Sequence, residues 1–245
     1  MNIIRVDNYE EMSKAGARYI IDKVKANPKM TLGLATGSTP KGTYQYIIED
    51  HKQNGTSYQQ ISTFNLDEYI GLSAEDPNSY HFYMKDVLFN HIDIPLNHTH
   101  IPNGDTVDKE EECVRYEAKV KESSIDLQIL GIGANGHIGF NEPGTSFHSK
   151  THVVALAEST REANARFFPS IDDVPKHAIT MGIASIMASK EILLLVSGDA
   201  KSEALERLLS DQLPSEDFPA SILKTHPRVT IIADNEALMS TGITR

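Results

Sequence analysis

The sequence is poor in cysteine, in long apolar runs and in positive charge. Cys113 is the single cysteine among 245 residues, so no disulfide can form within the chain. Such usage is typical of proteins of the reducing cytosol. No stretch approaches the roughly 18 apolar residues of a membrane span, and the N-terminus turns acidic at once, unlike a secretory signal. We therefore expect a cytoplasmic protein with no membrane partner.

Basic residues are also too few to indicate a nucleic-acid partner. Lys and Arg number 23 against 34 Asp and Glu, which gives a formal net charge of −11. Nucleic-acid backbones are bound by clustered Lys and Arg, so binding of nucleic acid is not expected. An anionic small molecule would instead need a few specific cations that act against the overall field of the protein.

Short apolar segments alternate with amphipathic ones along the chain. The strand-like segments are 31–35, 61–66, 127–132, 153–156, 191–196 and 229–233, and the helical patterns are 10–24, 40–49, 80–92, 108–121 and 201–209. This alternation predicts an α/β fold in which helices cover both faces of a mostly parallel sheet of buried strands. No repeat or low-complexity linker divides the chain, so residues 1–245 are expected to form one domain.

The segment 157–176 is mostly polar and contains Pro169 and Pro175. Two interpretations stay open at this stage, a mobile lid and a surface excursion.

A phosphate cradle is indicated where the first predicted strand ends. The strand breaks into Thr36-Gly37-Ser38-Thr39, and Pro40 follows. Thr39 suits an N-cap and Pro40 a first helical position, so a helix N-terminus with free N–H groups would face a bound phosphate. The segment does not match the Walker A pattern GxxxxGK[ST], because Lys41 precedes Gly42 instead of following it. The alternative is an ordinary turn between a strand and a helix.

Two adjacent acids, Asp67 and Glu68, end the second strand. Neighbouring side chains on a strand point to opposite faces, so only one of the two can readily enter a given cleft. A partly buried carboxylate there would be a reasonable general base. The alternative is a pair of solvated loop acids. Tyr80, at the start of the next predicted helix, is a further candidate for the border of the site.

The glycine-rich segment 131–144 carries the most information. Gly131, Gly133 and Gly136 match the dinucleotide pattern GxGxxG, but the glycines and proline at 139–144 break the helix that this motif must open. We therefore expect no dinucleotide. His137 among these glycines is a candidate proton shuttle, with Glu142 five residues further on to fix its tautomer. A structural histidine is the alternative.

Two cations lie further along the chain. Arg166 is flanked by aromatic residues, and Lys201 follows the most apolar strand. Arg suits bidentate recognition of phosphate and Lys supplies a point charge. Taken singly, each is better explained as a solvated surface charge.

Together these motifs resemble the glucosamine-6-phosphate deaminase family. LATGSTP (34–40), FNLDEY (64–69), GIGANGHIGFNEPG (131–144), NARFF (164–168) and SGDAK (197–201) occur in the family's order, and the likeness runs from about residue 30 to the C-terminus. It implies a Rossmann-like three-layer sandwich that binds no nucleotide and needs no cofactor or metal. The family contains monomers and hexamers, so either a monomer or a homo-oligomer is expected.

The resemblance also implies roles for individual residues. Asp67 matches the base that moves a proton between C2 and C1 of an amino-sugar phosphate, and His137 matches the group that opens the pyranose ring, supported by Glu142 and Asn135. The product would be fructose 6-phosphate with release of ammonia. The residues matching the phosphate site are Thr36, Gly37, Ser38, Thr39, Arg166 and Lys201. The role of Glu68 stays open.

Two positions depart from the family pattern. Many members carry Asp where this chain has Asn135, and allosterically activated relatives carry an Arg and a Lys where this chain has His152 and Val154. Because Val154 cannot bind a phosphate, we predict little or no activation by N-acetylglucosamine 6-phosphate.

Three other functions are alternatives to this one. A 6-phosphogluconolactonase usually follows its histidine loop with a Leu-Phe-Pro-like segment, whereas this chain has Phe140-Asn141-Glu142-Pro143. A non-catalytic sugar-phosphate sensor would carry a DNA-binding region, and it could lose the catalytic acids that this chain retains. His98 and His100 could bind a metal from one strand, but no third ligand is evident nearby.

Overall fold

The computed structural model describes residues 1–165 and 168–242, and within them ten strands alternate with seven α-helices. The strands are β1 (Asn2–Val6), β2 (Thr31–Leu34), β3 (Ser62–Asn65), β4 (Asp67–Tyr69), β5 (Thr99–His100), β6 (Leu127–Leu130), β7 (His152–Ala155), β8 (His177–Thr180), β9 (Ile192–Val196) and β10 (Val229–Asp234). The helices are α1 (Tyr9–Ala26), α2 (Ser38–Asn54), α3 (Tyr80–Val87), α4 (Lys109–Ser123), α5 (Glu158–Asn164), α6 (Ile183–Met187) and α7 (Ser202–Leu209).

The main sheet has the strand order β1-β10-β9-β6-β2-β3-β5, and every neighbouring pair in it is parallel. Side chains alternate between its two faces, as the pleat requires. On β9, for example, Leu193 and Leu195 join the core under α1 and α2, whereas Leu194 joins the core under α4 and α7. This arrangement confirms the predicted α/β three-layer sandwich with a mostly parallel sheet.

A second, antiparallel sheet was not predicted. It has the strand order β4-β8-β7. Leu66 is the single residue that connects β3 of the main sheet to β4 of the small sheet. Leu66 joins the two sheets, because its N–H donates to Leu34 and its carbonyl accepts from Met181 N. The prediction of a buried parallel strand at 153–156 was wrong. The observed β7 is the half-exposed outer strand of the small sheet, so only part of its apolar surface meets a core.

The segment 157–176 holds α5 and a 3₁₀ turn at Ile171–Asp173. The two interpretations of this segment, a mobile lid and a surface excursion, both stay open, and the single domain spanning 1–245 stays a prediction. No helix in the described part of the chain combines the length and the apolar character needed to cross a membrane.

Candidate active site

A pocket of about 380 Å³ opens at the carboxyl ends of β2, β3, β6 and β9, which are neighbours in the main sheet. Ligands of open α/β sheets bind at this edge. The pocket is lined by nine residues that the sequence predicted for the site: Thr36, Gly37, Ser38, Thr39, Asp67, Tyr80, Asn135, His137 and Lys201. Segments more than 160 residues apart in sequence thus meet in one cavity, while Arg166 lies outside the described residues.

The loop that was predicted to cradle a phosphate differs from its prediction by two residues. Helix α2 begins at Ser38, and its N-cap is Gly37 rather than Thr39. Gly37 has φ 96° and ψ −174°, a conformation essentially restricted to glycine, so the chain turns before Thr39 can cap the helix. No side chain caps the helix. Its first turn, which includes Ser38 and Thr39, therefore presents backbone N–H groups that have no partner within the helix.

Asp67 is a buried carboxyl group on the wall of this pocket. It is only 6% exposed. Burial, and secondarily the negative charge of Glu68, raise the pKa of Asp67 from an ordinary value of 3.8 to about 8. A carboxylate with so high a pKa is a far stronger base than a solvated one, which is what abstraction of a carbon-bound proton requires.

Glu68 points away from Asp67 into a different environment. Its carboxylate accepts hydrogen bonds from the backbone N–H groups of Tyr69, Tyr80 and His81, at 2.8, 2.9 and 3.0 Å, and from His81 Nδ1 at 2.8 Å. Two of these N–H groups belong to the first turn of α3. Glu68 therefore secures the start of α3. Of the two acids only Asp67 lines the pocket, as the opposite directions of neighbouring strand side chains led us to expect.

His137 lies in the loop after β6 and is held by its own segment. Its carbonyl accepts from Gly133 N at 2.9 Å, and its N–H donates to Asn135 Oδ1 at 3.2 Å. A Cβ atom at position 133 would lie 2.3 Å from the imidazole ring, so only glycine permits this packing. His137 Nδ1 lies 3.5 Å from Glu142 Oε2, which orients that nitrogen towards the carboxylate.

The carboxylate of Glu142 is fixed from both sides. Asn135 Nδ2 donates to Oε2 at 2.7 Å, and the Thr160 hydroxyl on α5 donates to Oε1. Burial alone would raise the pKa of Glu142, but the nearby imidazole of His137 and the hydrogen bonds from Thr160 and Asn135 outweigh it and lower the pKa to about 2. Glu142 is therefore a permanent anion beside the imidazole at physiological pH.

Several pocket residues were not predicted from the sequence. Thr160 and Asn164 reach the pocket from α5, and Phe140 stacks on Tyr80 with ring centroids 6.1 Å apart. Phe140 lies three residues after His137, within the glycine-rich segment 131–144. Thr160 gave no signal, since α5 has only seven residues in a polar segment.

Lys201 ends a 3₁₀ turn, Asp199–Lys201, that follows β9, and α7 begins at the next residue. The turn brings Lys201 to the pocket on the side of β9. Within the described ranges, no group of three or more His, Cys, Asp or Glu could hold a metal ion, and His98 and His100 are not joined by a third ligand.

Comparison with known proteins agrees with this geometry. The family model for glucosamine-6-phosphate isomerases/6-phosphogluconolactonase matches residues 7–232. A protein named glucosamine-6-phosphate deaminase from Shouchella clausii is 60% identical over 97% of this chain and 96% of its own, and glucosamine-6-phosphate deaminase 1 from Bacillus subtilis is 56% identical over 97% and 98%.

Solved structures give the same result at the level of the fold. A structure described as a monomeric glucosamine-6-phosphate deaminase superposes with a TM-score of 0.96 at 56% identity, covering 98% of this chain and all of that one. A 6-phosphogluconolactonase from Trypanosoma brucei superposes with a TM-score of 0.77 at 21% identity over 97% of both chains, which shows a shared fold only. The chain belongs to the family of glucosamine-6-phosphate isomerases and 6-phosphogluconolactonases.

Proposed function

We propose that the protein is a glucosamine-6-phosphate deaminase of the cytoplasm, which converts glucosamine 6-phosphate and water into fructose 6-phosphate and ammonia. The observation that carries the proposal is that one pocket joins a buried carboxyl group of raised pKa, Asp67, with His137, whose Nδ1 faces Glu142 behind the pocket wall. Relatives of 60% and 56% identity that are named as deaminases support the same reaction.

The substrate phosphate is assigned to the N-terminus of α2. The N–H groups of its first turn, the helix dipole and the hydroxyls of Ser38 and Thr39 favour a dianion there. Lys201 lines the same pocket and supplies a positive charge. Arg166 is retained as a second cation on the strength of the sequence motif. Binding at this end places the sugar carbons within reach of Asp67 and His137, so binding energy is converted into positioning.

The ring of the bound sugar is opened by His137. Opening moves a proton from O1 to O5, which an imidazole can accept and return. Because Nδ1 faces Glu142, the other ring nitrogen, Nε2, is left for the substrate, and the permanent charge of Glu142 stabilises the imidazolium form during the transfer.

Isomerisation of the open chain is assigned to Asp67. The carboxylate removes the proton on C2, which converts the amino aldose into an enolamine, and the proton is returned to C1. The resulting ketose imine takes up water at C2 and expels ammonia, leaving fructose 6-phosphate. No cofactor enters this sequence, because only protons and water are exchanged.

The test is release of ammonia and fructose 6-phosphate from glucosamine 6-phosphate by the wild type and by Asp67→Asn. We expect equal amounts of both products, and a loss of at least about a hundredfold in kcat for the variant. Binding of the sugar phosphate without turnover by the wild type would instead indicate a sensor. Hydrolysis of 6-phosphogluconolactone by the wild type, without deamination, would indicate a lactonase.

We also propose that the chain works as a monomer. A structure with a TM-score of 0.96 is described as monomeric, which supports this state over the alternative homo-oligomer. Light scattering coupled to size-exclusion chromatography should give the mass of one chain, 27.1 kDa. A mass of two or more chains at assay concentration would contradict the proposal.

A further inference from the structure

Three tyrosines from three different helices hold the backbone of the phosphate loop. Tyr44 Oη donates to the carbonyl of Ala35 at 2.5 Å, Tyr83 Oη to that of Gly37 at 2.6 Å, and Tyr9 Oη to that of Ser38 at 2.9 Å. Tyr9 Oη also accepts from the N–H of Gly42 at 2.9 Å. Three carbonyl oxygens within four residues of the loop are thus bound by phenolic hydroxyls.

These carbonyls matter because of the ligand expected beside them. A peptide group that turns its N–H to a phosphate attracts it, whereas one that turns its carbonyl oxygen to the phosphate repels it. The loop turns at Gly37, where a glycine at φ 96° has more freedom than any other residue. Something other than local sterics must therefore select the orientation of the peptides around Gly37.

We propose that Tyr9, Tyr44 and Tyr83 are positioning residues of the phosphate subsite. By binding the carbonyls of Ala35, Gly37 and Ser38, their hydroxyls fix the peptide groups that carry the N–H groups of Thr36, Ser38 and Thr39. These three residues line the pocket, so the hydroxyls keep their N–H groups directed at it. The tyrosines make no contact with the substrate in this scheme, and they lower the cost of binding by ordering the loop beforehand. The inference rests on the proposed function in one respect, that the pocket binds a phosphate.

The three tyrosines differ in burial, so we expect their substitution to weaken phosphate binding to different degrees. Tyr44 is completely buried, so changing it also disturbs the core between α2 and the sheet. Tyr83 is partly buried and its hydrogen bond is short, whereas Tyr9 is 40% exposed and its bond competes with water. Tyr83 therefore gives the clearest test, and Tyr9 should show a smaller effect of the same kind.

The experiment compares Tyr83→Phe, Tyr9→Phe and the double variant with the wild type, because Phe keeps the ring and removes only the hydroxyl. Calorimetry with inorganic phosphate gives Kd, and steady-state assays with glucosamine 6-phosphate give KM and kcat. For Tyr83→Phe we expect Kd and KM to rise about five- to tenfold, and for Tyr9→Phe about two- to threefold, with kcat within twofold of the wild type.

A matched control is available in Tyr58→Phe. The Tyr58 hydroxyl is buried and has no hydrogen-bond partner among the described residues, and its ring belongs to the core below α2 rather than to the pocket. Its loss should leave Kd and KM unchanged. Thermal unfolding of each variant checks that the fold is retained, and the exposed Tyr9 keeps the test available should Tyr83→Phe fail to fold.

The outcomes separate this inference from the proposed function. Unchanged Kd for phosphate in both Tyr83→Phe and the double variant would overturn it, as would a fall in kcat as large as the rise in KM. If the wild type binds phosphate but does not deaminate glucosamine 6-phosphate, the proposed function fails, and the phosphate titrations still decide whether the tyrosines order the loop.

Discussion

Asp67 and Glu68 are adjacent acids whose carboxyl groups lie in very different environments. Asp67 faces the pocket with a pKa raised by burial, whereas Glu68 accepts four hydrogen bonds at the start of α3. The strand geometry sends them to opposite sides. The buried charge of Glu68 also contributes to the raised pKa of Asp67, so the acid that stays out of the pocket still helps to tune the one inside it.

The raised pKa of Asp67 has a consequence for stability. A group whose pKa is higher in the folded state contributes stability that is fully present below its unfolded pKa, about 3.8, and is lost as the pH rises through about 8. We therefore predict that at pH 9 the free energy of unfolding of Asp67→Asn exceeds that of the wild type by about 1–4 kcal/mol. This difference should shrink towards pH 5. Urea unfolding at the two pH values measures it, and an advantage independent of pH would contradict it.

Asn135 is one of the positions at which this chain departs from the family pattern, and its side-chain amide contacts Glu142. Nδ2 donates to Glu142 Oε2 at 2.7 Å, a bond that an ionised Asp could not make. We predict that Asn135→Asp places two negative charges beside His137, lowers kcat and moves the acidic limb of the pH–rate profile to higher pH. Profiles of the two proteins that coincide would refute this.

At the scale of elements, the short helix α5 reaches the site although no helical pattern predicted it. It contributes Thr160, whose hydroxyl binds Glu142, and Asn164, which lines the pocket. The position of α5 is thereby linked to the carboxylate that faces His137. If the segment 157–176 is a mobile lid rather than a surface excursion, Glu142 will lose or gain a hydrogen bond with its motion.

Thr160 can be tested by a pair of substitutions. Thr160→Val keeps the shape and removes the donor to Glu142, so we predict a fall in kcat of about tenfold with little change in KM. Thr160→Ser keeps the hydroxyl and should stay within about threefold of the wild type. Steady-state kinetics of both variants decide the matter, and equal losses in Val and Ser would show that only packing is involved.

At the scale of the whole molecule, the small sheet bears on regulation. His152 and Val154, which stand where activated relatives carry Arg and Lys, lie on β7 at its outer edge. His152 Nδ1 is hydrogen-bonded to the carbonyl of Lys150 at 2.7 Å, and Val154 offers no polar group. We predict that N-acetylglucosamine 6-phosphate leaves the saturation curve for glucosamine 6-phosphate unchanged. A shift of the curve to lower substrate concentration would contradict this.

The parts of the fold that could be predicted are those with a strong local signal. The buried strands β2, β6, β9 and β10 are short, apolar runs, and five of the helices have clear amphipathic patterns. The small sheet escaped prediction because β4, at three residues, has no pattern of its own and β8 pairs with it across more than a hundred residues. Pairing at that distance is decided by packing and not by local preference.

The sequence by itself determined the fold class and where chemistry would gather, because parallel strands bring their carboxyl ends to one edge and each motif follows such an end. Tertiary structure alone decided which of two neighbouring acids lines the pocket, at which residue α2 begins, and which distant side chains hold Glu142 and the loop at 35–38. The physical reason is that burial, pKa and hydrogen-bond partners depend on neighbours in space. Neither Thr160 nor Tyr83 belongs to a motif that predicted the site, and each is joined to it only by a contact in space.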